Sequence, residues 1–212
     1  MDEPVVIFGA GTLGKTAMDI FNENNILIYG FLDDKKELHN QEIGSVIVLG
    51  DTDDDGFLKI IGNKTEAFIA VRNAKDRKRI ADMIQKRRKT MPLNAIHRTA
   101  FVSEEAEIGH GNLVSPNAVV GSFAKMGNFN ILGAGSIIDA EAEIADFVEV
   151  GPGTVVNSHV KVEEEAFIGS NVTLVSGITI GKGARVGAGS VVISSVKANQ
   201  TVFGNPAQVV NK

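Results

Sequence analysis

The chain contains no cysteine among its 212 residues. That excludes a disulfide framework, a thiolate metal site and a thiol nucleophile. A second absence is a long apolar run: no stretch is extended enough to span a bilayer, and the amino terminus shows neither a basic leader segment nor a cleavage site. These absences set the expectation of a cytoplasmic protein without membrane insertion. Basic excess is also missing, since the formal net charge is −5, which argues against nucleic acid as a partner. Basic residues do cluster at 72–89, nine against two acidic ones. Such a run reads as a solvated helical face, or as help in attracting an anionic ligand.

What the sequence has in abundance is a period of six. From Val102, every sixth residue is aliphatic through Ile108, Val114, Val120, Met126, Leu132, Ile138, Ile144, Val150, Val156, Val162, Ile168, Leu174, Ile180, Val186 and Val192. Glycine often follows this position, and a small residue often lies two before it. Hexapeptide repeats of this form predict a parallel β-helix of triangular section, with an aliphatic inside each flat face and permissive backbone near the corners. Three hexapeptides make one coil, so residues eighteen apart stack at about 4.8 Å. A sandwich of short strands would instead alternate with period two and turn every 8–12 residues, which is not seen.

The pattern changes near residue 97, which divides the chain into 1–97 and 98–212. The first part opens with an apolar strand, Val5 to Phe8, then Gly9-Ala10-Gly11-Thr12-Leu13-Gly14 and a helix through Phe21. A strand, a glycine turn and a helix start present backbone N–H groups to a phosphate. A second strand, Ile26 to Leu32, ends at Asp33 and Asp34, at the distance where an acidic residue reaches a ribose in such folds. Further strands are expected at 46–49 and 68–71, helices near 56–61 and 75–87, and an extended segment at 93–96. This is a small Rossmann-like α/β domain with one mononucleotide half. An NAD site is one reading, a single nucleotide another, and glycines that merely permit a tight turn a third.

In this order the two halves resemble the sialic acid O-acetyltransferases and UDP-4-amino-sugar N-acetyltransferases, which are hexapeptide-repeat sugar acyltransferases. The motifs carrying the resemblance are GAGTLG, GFLDD, FIAVRNAKDRKRIA, IHRTAFVSEEAEIG, the repeats, VGAGSVV and VFGNPAQVV. It implies a left-handed β-helix, an acyl-CoA donor, in the first place acetyl-CoA, and a nucleotide-activated sugar of bacterial surface glycans. It further implies a homotrimer with the donor lying along the helix between subunits. By position, Gly9, Gly11, Thr12, Asp33 and Asp34 would contact the nucleotide, and Ser158, Ser170, Gly187, Ala188 and Gly189 the donor. Arg72, in the turn after the fourth expected strand, stands where a phosphate or carboxylate could be met.

The family's chemistry uses a histidine as general base with a neighbouring carboxylate to orient it. On the uninterrupted period, the family's asparagine is Gly133 here, its catalytic histidine is Ala140, and its second histidine is Glu149. The carboxylate survives as Glu141. Of the four histidines, His39 reads as a surface residue, His97 as structural, and His110 as lying nearly two coils from the reactive level. His159 follows Glu141 by eighteen residues, so the stacking rule sets it directly above that carboxylate. The pair could serve as an oriented base one coil higher; alternatively His159 merely occupies a position near bound acetyl-CoA. A carboxylate among Asp139, Glu141, Glu143 and Glu149 is another candidate base. These alternatives leave two functional readings: an acyltransferase with a rearranged base, and a non-catalytic member that binds nucleotide-sugar or acyl-CoA as a partner subunit. A nucleotide-regulated first domain is a third. No metal site is expected.

Overall fold

A computed structural model describes residues 3–210. Two compact units meet at the Arg98–Thr99 bond, and each is described by itself.

The first unit is a five-stranded sheet in the order β3-β4-β2-β1-β5, built from β1 (Val5–Phe8), β2 (Ile28–Leu32), β3 (Glu42–Ile43), β4 (Val46–Gly50) and β5 (Glu66–Ile69). All neighbours are parallel except β3 and β4. Strand β1 is wholly buried, as its unbroken apolar run requires of a central parallel strand. Helix α1 (Thr12–Glu23) buries Leu13, Ala17, Ile20 and Phe21, and Phe21 meets Phe68 edge-on at 5.4 Å. The chain visits β2 and β4 on one side of β1, then β5 on the other, so the order switches between β1 and β5. Ligand crevices form at the carboxyl ends of the strands at such a point.

The short helix α2 (Asp55–Leu58) and helix α3 (Ala74–Arg88) both start on side-chain caps. Asp54 accepts from the N–H groups of Gly56 and Phe57, and Asn73 from those of Lys75 and Asp76. The basic run of α3 is not simply a solvated face. Arg77 is 1% exposed, and its Nη1 donates to the carbonyls of Val71 and Arg72 at 2.8 Å each. Arg88 donates from Nε to the Ile61 carbonyl at 2.8 Å. Two of the basic residues thus tie down the loop after β5 and the segment after α2. Strand β5 ends at Ile69, two residues before the expected Val71, whose carbonyl accepts from Arg77.

The second unit is a left-handed parallel β-helix of two-residue strands. Its first face stacks Phe101–Val102, Val119–Val120, Ile137–Ile138, Val155–Val156, Thr173–Leu174 and Val191–Val192. The second runs from Glu107–Ile108 to Thr179–Ile180, and the third from Leu113–Val114 to Arg185–Val186, continued by a closing hairpin, Thr201–Gly204 with Ala207–Val209. Partners lie eighteen apart throughout the repeats, as in Val119 with Ile137 and Lys125 with Glu143. The six-residue column is the second residue of every strand, and from Val114 to Val192 it is buried. Each such side chain contributes about 1.5–3 kcal/mol when fully buried.

The corners refine the expected division of labour. The glycines after the aliphatic column are needed for close approach of the next coil: a Cβ at Gly169 would lie 2.6 Å from the Ala188 nitrogen, and one at Gly151 2.6 Å from Gly169 C. The left-handed backbone falls two residues later, at Phe123, Glu141 and His159 on one edge, at Phe129 and Phe147 on the next, and at Gly135, Gly153 and Gly189 on the third. From Asn112 onward the small column is buried, and at the second-to-third corner it holds Asn112 and Asn130. Asn112 accepts from the N–H of Asn130 at 2.8 Å, and Asn130 from that of Val148 at 2.7 Å, a ladder inside the prism. No described helix is long and apolar enough to cross a membrane.

Candidate functional site

In the first unit the carboxyl ends of the strands enclose a cavity of about 270 Å³ lined by Gly9, Asp33, Asp34, Lys35, Thr52, Val71, Asp76, Arg79 and Ile80. Gly9 and Val71 sit at the switch between β1 and β5. Gly9 has φ +105°, and a Cβ there would lie 2.8 Å from the Ala70 oxygen, so the turn requires glycine. Of the residues expected to meet a nucleotide, Gly9, Asp33 and Asp34 line this cavity, whereas Gly11, Thr12 and Arg72 lie outside its lining.

The two aspartates already hold the turn together. Asp33 accepts from the Ala10 N–H at 2.8 Å with one oxygen and from the Lys35 N–H at 3.0 Å with the other. Asp34 accepts from the Thr52 N–H at 2.9 Å and hydroxyl at 2.7 Å, and its other oxygen lies 3.2 Å from Arg79 Nη2. Burial alone would raise the Asp34 carboxyl, but the Thr52 bonds and Arg79 outweigh it and hold it below the ordinary value. Arg79 and Lys35 are the cations of the cavity; Arg79 belongs to the basic run, whereas Lys35 was not among the expected site residues. Their only signal was the basic run and the residue after the Asp-Asp pair. His39 is not a plain surface residue either: Nε2 lies 2.8 Å from the Asp33 carbonyl oxygen and pins the loop after β2.

In the β-helix, the candidate base and its carboxylate lie on one edge. The first-to-second corner stacks Phe123, Glu141, His159 and Gly177 in one column, eighteen residues apart, all with left-handed φ. His159 Nδ1 lies 3.5 Å from Glu141 Oε2, both side chains being more than half exposed. Above His159 the column holds Gly177, where a Cβ would meet nothing within 4 Å, so that side of the imidazole is open. The pair lines a cavity of about 360 Å³ with Phe123, Lys125, Glu143 and Lys161. The outward residues of the second face form a charge ladder beside it, Lys161 to Glu143 at 3.2 Å and Lys125 to Glu107 at 3.5 Å.

The other candidates fall elsewhere. Asp139 accepts from the Ser158 hydroxyl at 2.6 Å. That bond, with the Ala140 N–H, lowers the Asp139 carboxyl and makes it a poorer base. Glu149 is buried on the third face, and His110 stands on the second-to-third corner. At Gly133 a Cβ would lie 2.4 Å from the Pro152 nitrogen, so this position has no room for any side chain. Ser158 sits on the first-to-second corner, while Ser170 and Gly187, Ala188 and Gly189 sit on the third-to-first corner. These are opposite edges of the first face, and one chain does not bring them together.

Comparison with known proteins bears on both units. Residues 4–84 match the PglD N-terminal domain, and residues 159–194 match the hexapeptide repeat of succinyl-transferase. Together these matches support the nucleotide-sugar acetyltransferase family, whose members carry hexapeptide repeats, for this chain. Similar solved structures include WeeI from Acinetobacter baumannii AYE, at 27% identity and TM-score 0.87, covering 98% of this chain and 99% of that one. PerB from Caulobacter crescentus, in complex with CoA and GDP-perosamine, is 24% identical with TM-score 0.90 over 98% and 97%. The acetyltransferase domain of PglB from Neisseria gonorrhoeae FA1090, in complex with acetyl coenzyme A, is 24% identical with TM-score 0.90 over 99% and 100%. A search among curated proteins finds no match.

Proposed function

We propose that this chain transfers an acetyl group from acetyl-CoA to an amino or hydroxyl group of a nucleotide-activated sugar, in the synthesis of bacterial surface glycans. The observation that carries the reading is the Glu141–His159 pair, 3.5 Å apart and open on the cavity side of a hexapeptide β-helix. Acetyl-CoA and a nucleotide sugar bound to family relatives support it.

In this reading His159 is the general base. Its Nδ1 side faces Glu141, which favours a proton on that nitrogen and leaves Nε2 with a lone pair for the acceptor's amine or hydroxyl proton. The imidazolium formed is then stabilised by the carboxylate. A separation of 3.5 Å is longer than a hydrogen bond, and such contacts tighten when substrate enters. Acetyl-CoA supplies an acyl group already activated as a thioester. The corner at Gly187, Ala188 and Gly189 suits it, since a Cβ at Gly189 would meet nothing within 4 Å and the backbone is open to a close-lying ligand. Gly9, Asp33, Asp34, Lys35 and Arg79 are assigned to the nucleotide, with the two cations toward its phosphates.

The donor residues at opposite edges of the first face imply a second copy. A donor lying along the helix meets one corner of each chain, so Ser158 belongs with the Gly187–Gly189 corner of a neighbour. The outward residues of that face are apolar apart from Thr173, with Phe101 and Ile137 exposed and Val119, Val155 and Val191 half-buried. This stripe would be covered in a homotrimer, which a solution mass measurement tests.

Calorimetry with acetyl-CoA, followed by a free-thiol assay across nucleotide-linked amino sugars, tests the activity. His159→Ala is expected to retain acetyl-CoA binding and to lower kcat by about a hundredfold or more. Turnover that survives this change removes His159 from catalysis. Acetyl-CoA binding without thiol release from any acceptor returns the chain to the non-catalytic reading. Failure to bind acetyl-CoA sinks the proposal.

A further inference from the structure

Three phenylalanines occupy left-handed corner positions, which bulky side chains rarely adopt. For two of them the fold supplies a reason. Phe129 and Phe147 stack with ring centroids 5.0 Å apart and an interplanar angle of 16°, and each is only 7% exposed. Their packing offsets the backbone strain.

Phe123 is the exception. It has φ +58° and is 59% exposed. Its ring makes no aromatic or cation contact among the described residues. Folding gains little from a large apolar ring there, where asparagine or glycine would carry the backbone at lower cost. The ring is instead part of the wall of the 360 Å³ cavity, in the same column as Glu141 and His159 and one coil below the carboxylate. The remaining walls are polar, and their charges are matched: Lys161 is paired with Glu143, and Lys125 with Glu107. A cavity with one exposed aromatic face, a carboxylate–imidazole pair and balanced charge suits a pyranose ring. The ring's C–H face rests on the aromatic, and its polar edge meets the charged groups.

Resting on the acyl-transfer reading above, we infer that Phe123 is the platform on which the acceptor's sugar ring stacks, holding the nucleophile toward His159. Phe123 is thus a positioning residue that sets acceptor affinity and selects sugars with an unobstructed apolar face. It plays no part in donor binding or proton transfer.

The test uses the full chain as wild type, Phe123→Asn and Phe123→Tyr. Thiol release from acetyl-CoA is followed with GDP-perosamine and with a UDP-4-amino-sugar as acceptors. Calorimetry compares GDP-perosamine with GDP alone, which lacks the sugar. Because asparagine accepts the left-handed backbone, Phe123→Asn is expected to keep or raise the melting temperature. It should leave GDP and acetyl-CoA affinities unchanged and raise the acceptor KM about tenfold, with kcat nearly unaltered. Phe123→Tyr should restore KM. An unchanged KM in Phe123→Asn, or a wild-type chain that binds GDP-perosamine no better than GDP, overturns the inference and leaves acyl transfer standing. A wild-type chain that binds acetyl-CoA but releases no thiol with either acceptor, while Phe123→Asn weakens GDP-perosamine binding, upholds the platform and removes the transfer reading.

Discussion

The two units of this chain spend their polar side chains differently. In the α/β unit the conspicuous acidic pair is tied into the fold: Asp33 holds the Ala10 and Lys35 amides, and Asp34 holds Thr52 and Arg79. Along the left-handed column of the first-to-second corner the N–H groups bond to backbone, as in Glu141 N–H to the Ser122 carbonyl and Gly177 N–H to the Ser158 carbonyl. The side chains of Phe123, Glu141 and His159 therefore project without a structural duty. A repeating backbone that satisfies itself frees a column for chemistry, whereas a tight nucleotide-type turn needs its carboxylates for its own closure.

Substitutions can break this contrast, and the largest effect is expected where backbones touch. Gly169→Val places side-chain atoms where even a Cβ would be 2.6 Å from the Ala188 nitrogen. It should destabilise the β-helix by about 3 kcal/mol, read by denaturant unfolding. Gly11→Ala in the other unit, where a Cβ meets nothing within 4 Å, should be nearly silent. Equal losses at the two sites would erase the distinction between close-approach glycines and a merely permissive one.

Next comes Arg77→Met, which keeps a long buried side chain and removes two charge-assisted bonds to the Val71 and Arg72 carbonyls. A loss of about 2 kcal/mol is expected, together with weaker nucleotide binding, because Val71 lines the cavity. Stability unchanged by this variant would return α3 to the solvated face expected of its composition.

The smallest effect is a pH dependence. Asp34 has a folded-state pKa below its ordinary value of 3.8. Its contribution is therefore present above about pH 4 and lost as pH falls through the lowered folded value. Thr52→Val removes the hydroxyl bond and should shrink that acid-side loss, measured as melting temperature against pH. An unaltered acid limb would show that Thr52 is not what holds the carboxylate down.

How far each part could be read from residues follows from the same contrast. In the β-helix a fixed period of six makes every position predictable from its neighbours eighteen away, so the apposition of Glu141 and His159 was legible without coordinates. The same rule applied downward reaches Phe123, which was overlooked because an aromatic at a corner carries no motif. In the first unit the strand–turn–helix opening was legible through Val5–Phe8 and the glycines. The cavity's cations were not, since Arg79 reaches the Asp33–Asp34 turn only through the packing of α3, and a helical basic run looks alike whichever face is buried.

The sequence by itself determined the architecture of the repeats, the change of fold near residue 97, and the register that sets His159 over Glu141. It could do so because the β-helix is quasi-one-dimensional and each coil contacts only the next. Only the tertiary structure decided that Arg77 is buried, that Asp33 and Asp34 are bound into the turn, that Gly133 has no room for a side chain, and that Phe123 opens onto the cavity beside the pair. Those outcomes depend on packing between segments with no fixed spacing in the chain, and local pattern carries no record of them.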